Sequence, residues 1–375
     1  MNGYEKYWVW LSTALGAAVR TDEIISAYPE PHKIFEASET DRRLSGVFSA
    51  GQLAKLNAAS MDTAVHYVSL CNKNGWQVLT PDSERYPADL KKTADMPLVL
   101  YVDGNLDCLE NKVAISVVGT RNPCYESIAI ARKISGELAK AGAVVISGGA
   151  LGIDSAAHEA AMEAGGKTVC VMGCGLGTNY LAENAAMRRE ISENGAVISE
   201  YPPFSVASRI TFPQRNRIIS GLSKGILVVE AGERSGSLIT ARLAAEQGRD
   251  VFAIPGNVLS SAYMGANRLI RDGAKSVSCA AEILAPYAEM YPDIICIDNI
   301  DADSVMQSKR VKREYPSGID PKLEAVYNLF GDEPLHPDEI CAETRLPLPK
   351  VIAALIQLEI EGYIEQTEGK NYILK

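Results

Sequence analysis

Six short runs of nearly unbroken apolar residues constrain this chain more than any other feature: Val113 to Val118, Ala143 to Ser147, Lys167 to Met172, Ala196 to Ser199, Gly225 to Val229 and Asp250 to Ile254. Each lacks the apolar-polar alternation of a half-exposed strand, so each reads as a strand covered on both faces. Between them, helical stretches begin near Glu126, Ile153, Leu181, Pro213 and Ser237. Strand and helix repeated in this way predict an α/β fold with a parallel, doubly wound, Rossmann-like sheet. Ligands of such sheets bind beyond the carboxyl ends of the strands. Here those ends read GTRNP, SGGALGID, GCGLGTN and EAGERSGS, with Arg121 and Arg234 among them.

The flanks differ in kind from this core, which spans residues 81–290. Residues 1–80 carry helical-period apolar positions such as Leu53, Leu56 and Met61, broken by Pro29, Pro31, Gly46 and Gly51, and predict a small helical domain. Residues 291–317 pass from the acidic DIICIDNIDAD to the basic SKRVKRE, the composition shift of a linker. From 318 to 375 a second fold starts, with helices expected at Pro321 to Leu329, Pro337 to Cys341 and Pro349 to Glu361. YIEQTEGKNYIL then forms a hairpin turning at Glu368 and Gly369. Three helices and a hairpin predict a winged helix. Acids there outnumber the five bases Lys322, Arg345, Lys350, Lys370 and Lys375, which favours contact with protein over direct reading of DNA.

Composition excludes several functions. With 375 residues, 47% of them apolar, the chain is globular and long enough for two or three domains, and its net charge of -10 opposes nonspecific coating of nucleic acid. The start MNGYEKYWVWLSTALG lacks the basic region and hydrophobic core of a signal peptide, and no run approaches a membrane span, so a cytoplasmic protein without membrane insertion is expected. Eight cysteines without a C-x-x-C pair and four dispersed histidines give no ligand spacing for a metal, and no cofactor is expected. GCGLGT is not the G-x-G-x-x-G dinucleotide fingerprint. No Ser or Cys sits in a nucleophile elbow, so no catalytic residue is assigned.

Against the net negative charge, Tyr201 to Val229 holds no Asp or Glu but includes Arg209, Arg215, Arg217 and Lys224. Pro213 suits the first position of a helix, which places Arg215 and Arg217 in its first turn, opposed to the helix dipole. An anionic ligand would offset them; the other reading is an arginine pair bridged to acids elsewhere in the fold. Ser235 or Ser237 offers an N-cap and anion cradle after a strand. Gly148 and Gly149 allow close approach of a phosphate.

At these residues the chain resembles the DNA-processing protein A (DprA/Smf) family. The resemblance rests on SVVGTRN at Ser116 to Asn122, SGGALGIDSAAH at Ser147 to His158, the block from FPQRNRIISGLS to FAIPGN, and ANRLIRDGA at Ala266 to Ala274. It implies a helical domain similar to a sterile alpha motif, an extended Rossmann-like core and a C-terminal winged helix. It also implies a single-stranded DNA-binding protein without catalysis, which protects incoming strands during natural transformation, loads the RecA recombinase and forms a homodimer. Arg121, Gly148, Gly149, Phe212, Arg215 and Arg217 would make the pocket, together with Lys224, Ser235 and Ser237 from the basic window and the strand-end loop. Leu269 and Ile270 would lie at the dimer interface. The chain departs from the family pattern at Gly177, where Asp is usual, and at Leu181, where Pro is usual. The alternative reading is a Rossmann-like nucleotide phosphoribohydrolase, since SGGALGID echoes a PGGxGT loop but lacks its G-T-x-x-E continuation. A pure adaptor acting through the winged helix is a third reading, in which residues 81–290 bind no DNA.

Overall fold

The computed structural model describes residues 4–300, 323, 326, 327, 329, 330, 335–344, 346–367 and 371–374. Residues 4–300 lie in one compact unit and the later ones in a second. The first is built on a nine-stranded sheet. Its strands in chain order are β1 (Gln77–Leu79), β2 (Leu100–Gly104), β3 (Ala114–Val118), β4 (Val144–Ser147), β5 (Thr168–Met172), β6 (Ala196–Ser199), β7 (Gly225–Val228), β8 (Asp250–Ala253) and β9 (Lys275–Ser276). Across the sheet they run β1-β2-β6-β5-β4-β3-β7-β8-β9. The neighbours from β6 through β9 pair in parallel, and the β1–β2 and β2–β6 pairs are antiparallel.

All residues of β3, β4, β5, β6 and β7 are buried. Their unbroken apolar runs have this cause, because helices cover both faces and leave no solvent side for a polar residue. One face forms a cluster with Ile146, Val171, Ile198, Ile226 and Val228; the other gathers Ile115, Val145 and Leu227 with Ile134 and Leu138 of the Tyr125–Lys140 helix.

The N-terminal helices, from Glu5–Leu15 to Met61–Asn74, share a core with the sheet edge: Trp8, Trp10, Leu11 and Ile34 cluster with Leu98, Val99 and Tyr101 around β2. Arg42 is buried there and donates to the carbonyls of Ile34 (2.8 Å) and Phe35 (2.9 Å) and to Asn57 (3.0 Å).

Residues 291–300, expected as the start of a linker, instead belong to the core. Ile294, Ile295, Ile297 and Ile300 pack on the cluster that holds Ile134, and the Cys296 N–H donates to the Ala141 carbonyl at 3.0 Å. The acids of DIICIDNIDAD mask isoleucines spaced to reach one apolar surface. The linker beyond 300, most of the expected 321–329 helix and the Glu368–Gly369 turn lie outside the described residues.

In the second unit, helices Pro337–Thr344 and Leu348–Ile360 and the antiparallel pair Ile364–Gln366 with Tyr372–Leu374 enclose a core of Leu323, Val326, Ile340, Val351, Leu355 and Leu358. Pro347, just before the second helix, fixes its entry.

Ile295 is 3% exposed. Ile295→Ala in the full chain is expected to cost about 2–5 kcal/mol by urea denaturation, as a core truncation does. A linker residue would cost nothing measurable.

Candidate nucleic-acid interface

The sheet grows from β3 outward through β4, β5 and β6, and the chain then returns to add β7 and β8 on the other side of β3. The loops after β3 and β7 therefore diverge at a topological switch point, where doubly wound sheets open a crevice. Short bonds hold its mouth. The Thr120 N–H donates to the Glu230 carbonyl at 2.9 Å, and the buried Glu230 carboxylate accepts from the Cys124 N–H at 3.0 Å. Arg121 stands exposed on this stapled loop.

Phe212 comes from the other side of the crevice, on the helix Thr211–Leu222. That helix starts two residues before Pro213 because the Ser208 hydroxyl accepts from the N–H groups of Ile210 (3.3 Å) and Thr211 (3.2 Å). The Arg121 guanidinium lies 5.1 Å from the centre of the Phe212 ring. Tyr180 packs against the same ring, 5.3 Å between centres. Gly173 permits this closure, since a Cβ there would sit 2.7 Å from a Phe212 ring carbon. A cation and two half-buried aromatics thus meet at the carboxyl edge of the sheet. Tyr180 was not among the expected site residues; an aromatic inside the glycine-rich GCGLGTNY loop was the available signal.

Arg215 lies beneath this cluster rather than in it. It is 4% exposed, its guanidinium donates to the Val171 carbonyl, and a Cβ on Gly148 would overlap it. Gly148 therefore makes room for an arginine as well as for any ligand. Burial pushes the Arg215 guanidinium down and the nearby Asp154 carboxyl up, while their mutual attraction opposes both shifts. Asp154 also accepts from the Ala150 N–H at 3.3 Å, which ties the Gly148–Gly152 loop to the first turn of the Ile153–Glu163 helix. Gly149 adopts φ 65°, a conformation that favours glycine, and its carbonyl accepts from Asn184 at 3.1 Å.

Arg217 and Lys224 require correction as free phosphate contacts. Arg217 is 3% exposed and ion-paired with buried Glu200, with Asp95 3.4 Å from its Nε. Lys224 is paired with Asp89 at 2.7 Å. The window without acids began one residue after Glu200, and Asp89 and Asp95 arrive from a distant segment, so the reading of arginines bridged to acids holds for Arg217. Arg215 and Arg217 also fall beyond the first turn, because the helix starts at Thr211. Neither Ser235 nor Ser237 is the N-cap of the Ser237–Glu246 helix; Gly236 is, and the two hydroxyls bond each other at 2.8 Å.

Leu269 and Ile270 lie on the helix Met264–Arg271, both partly buried against the sheet. This helix and Ser237–Glu246 flank a groove of about 610 Å³ lined by Leu238, Ala241, Val251 and Leu269. Among the described residues no group of three or more His, Cys, Asp or Glu could hold a metal ion, and no helix is long and apolar enough to cross a membrane.

A doubly wound α/β core and a separate C-terminal winged helix define the class of fold. Residues 77–288 match the family described as DNA recombination-mediator protein A, and 312–370 match the DprA winged helix domain. The chain belongs to the DNA recombination-mediator protein A family. Protein Smf of Synechocystis is 36% identical over 316 residues, covering 79% of each chain. The DNA processing protein DprA of Streptococcus pneumoniae is 43% identical over 202 residues, 54% of this chain and 71% of that protein. The X-ray structure of the latter superposes with a TM-score of 0.65 at 33% identity, covering 75% of this chain and 97% of that one. The structure of DNA processing protein A from Helicobacter pylori, described for its single-stranded DNA binding mode, gives 0.52 at 30% identity over 58% of this chain and 97% of that one.

Two outcomes follow from the burial pattern. Arg217→Ala is expected to destabilise the fold by about 3–5 kcal/mol in urea, because it strands Glu200 in the interior, whereas Arg121→Glu stays within about 0.5 kcal/mol of the wild type. His158 supplies the second. It is fully buried; Thr168 donates to the Val145 carbonyl at 2.8 Å and so accepts from the His158 Nδ1–H at 2.7 Å. The bare Nε2 has no partner, and burial holds the imidazole down at about 3. A depressed histidine stabilises the fold above the unfolded value near 6.5 and loses that contribution as pH falls from there towards about 3. Urea titrations at pH 7 and pH 5 should differ by about 2 kcal/mol from this residue, a difference absent in His158→Gln.

Proposed function

We propose that this chain is a non-catalytic single-stranded DNA-binding protein that protects incoming strands and loads RecA recombinase during natural transformation. The observation that carries this reading is the Arg121–Phe212–Tyr180 cluster at the switch point. Stacking on such rings needs an exposed base face, which a single strand offers and a duplex hides, while the guanidinium neutralises the adjoining phosphate. The Gly148–Gly149 loop brings backbone to the same edge, and Ser235 sits at the start of the neighbouring helix, where N–H groups favour an anion. Homodimerisation is assigned to the helix bearing Leu269 and Ile270, and contact with the recombinase to protein surfaces that include the acidic winged helix.

The phosphoribohydrolase reading asks for acids free to act on a sugar. Glu230 is spent on the Cys124 N–H and Asp154 is buried beside Arg215 under the glycine loop, which disfavours it.

Fluorescence anisotropy with labelled single-stranded and duplex oligonucleotides across a salt series tests the proposal. Single strands are expected to bind more tightly, Arg121→Glu to abolish most of the affinity, and Phe212→Ala to cost about 1–3 kcal/mol. Arg121, Arg209 and Arg234 stand exposed on the strand-end loops and the segment before the Phe212 helix, so the logarithmic salt slope should be modest, about -2. Absence of single-strand binding together with base release from nucleoside monophosphates would overturn the reading.

A further inference from the structure

The loop that departs from the family pattern has a use in the fold that Arg121 and Phe212 do not account for. At Gly177 a Cβ would overlap three ring carbons of Phe204, so the absence of a side chain there is what allows that ring to close onto the loop. The Gly177 N–H donates to the Pro203 carbonyl at 2.7 Å and the Gly175 N–H to the Ser205 carbonyl at 2.8 Å, fixing the two loops together. Although one side of Phe204 is seated in this way, 54% of the residue remains exposed. A Phe held by backbone bonds and left open to water is poor burial. Trp76 stands beside it, 6.5 Å between ring centres and tilted by 56°.

These two rings continue the site already described. Tyr180 lies three residues beyond Gly177 on the same loop, so the ring seated at Gly177 and the ring packed on Phe212 are held by one loop. Arg121, Phe212 and Tyr180 at the switch point and Phe204 and Trp76 at Gly177 are then two groups of rings joined by that loop.

We propose that Phe204 is a second base-stacking position and that Trp76 forms its wall, extending the single-strand path across the Gly177 loop. The inference rests on the single-strand reading above. Its occupant is the base portion of the strand, and exposed Arg209 on the same segment suits the accompanying phosphate.

The test uses the full chain and oligothymidines of about 6 and about 15 nucleotides, near the lower and upper ends of the usual single-strand site sizes. Phe204→Ala is expected to weaken the longer oligonucleotide roughly 5- to 150-fold and the shorter one much less, while Phe204→Tyr keeps the affinity. Trp76 gives an independent signal, because Trp8 and Trp10, the other two tryptophans, are each 1% exposed. Binding of the longer oligonucleotide should quench tryptophan emission in the wild type and not in Trp76→Phe. Unchanged affinity in Phe204→Ala, equal loss on both lengths, or no Trp76 quenching would overturn the proposal. In those cases a wild type that still binds single strands and loses them in Phe212→Ala leaves the functional reading standing; a wild type that binds no single strand removes both.

Discussion

The buried guanidinium of Arg215 is the interaction on which the crevice depends. It reaches the Val171 carbonyl at the end of β5, fills the space left open by Gly148 after β4, and belongs to the same helix as Phe212. One side chain thus sets the spacing between two strand-end loops and the helix that carries Phe212. Burying a cation is expensive, and here Asp154 and the carbonyl offset that cost. The Nε of Arg215 keeps no hydrogen-bond partner.

Arg217 shows the opposite arrangement on the same helix. Its charge is cancelled by Glu200, and Asp95 adds a further acid. Asp95 lies beside the N-terminal helical region, where the Thr21 N–H donates to the Ala94 carbonyl at 3.0 Å and the Thr21 hydroxyl to the Met96 carbonyl at 2.8 Å. The helix bearing Phe212 is therefore anchored at its far side to the junction between the helical region and the sheet. The two arginines look alike in the sequence, two residues apart in a helix, yet one supports the crevice and the other the domain junction.

The strands were legible because a parallel sheet covered on both faces demands unbroken apolar runs; every run expected from Val113 to Ile254 matches a strand within one residue at either end. The helix starts at Ile153 and Ser237 were equally legible, set by the loops before them. Ionic partners were not. Glu200, Asp95 and Asp89 reach Arg217 and Lys224 only through the folded sheet, and a local count of acids carries no information about them. The helical identity of residues near 212 was legible, but its true start depended on Ser208 acting across a turn, a contact weaker as a signal than Pro213. Residues 291–300 were misread for a related reason: charge dominates their composition, while their isoleucines decide where they lie.

With Arg217 and Lys224 neutralised, attraction for a polyanion cannot come mainly from the number of free cations. The chain carries a net charge of -10, so its long-range field repels a nucleic-acid strand, and on the proposed reading the rim arginines would overcome that repulsion over a few ångströms. On the proposed reading, short-range terms would then supply most of the affinity. An aromatic stack is such a term, insensitive to salt and indifferent to which base is presented. It also selects the single strand without any clash against the duplex, because paired bases have no face to offer. Under the proposed reading the sign of the whole chain and the rings at the crevice fit together: repulsion at a distance would keep duplex DNA away, and stacking at contact would retain a strand whose bases are already open.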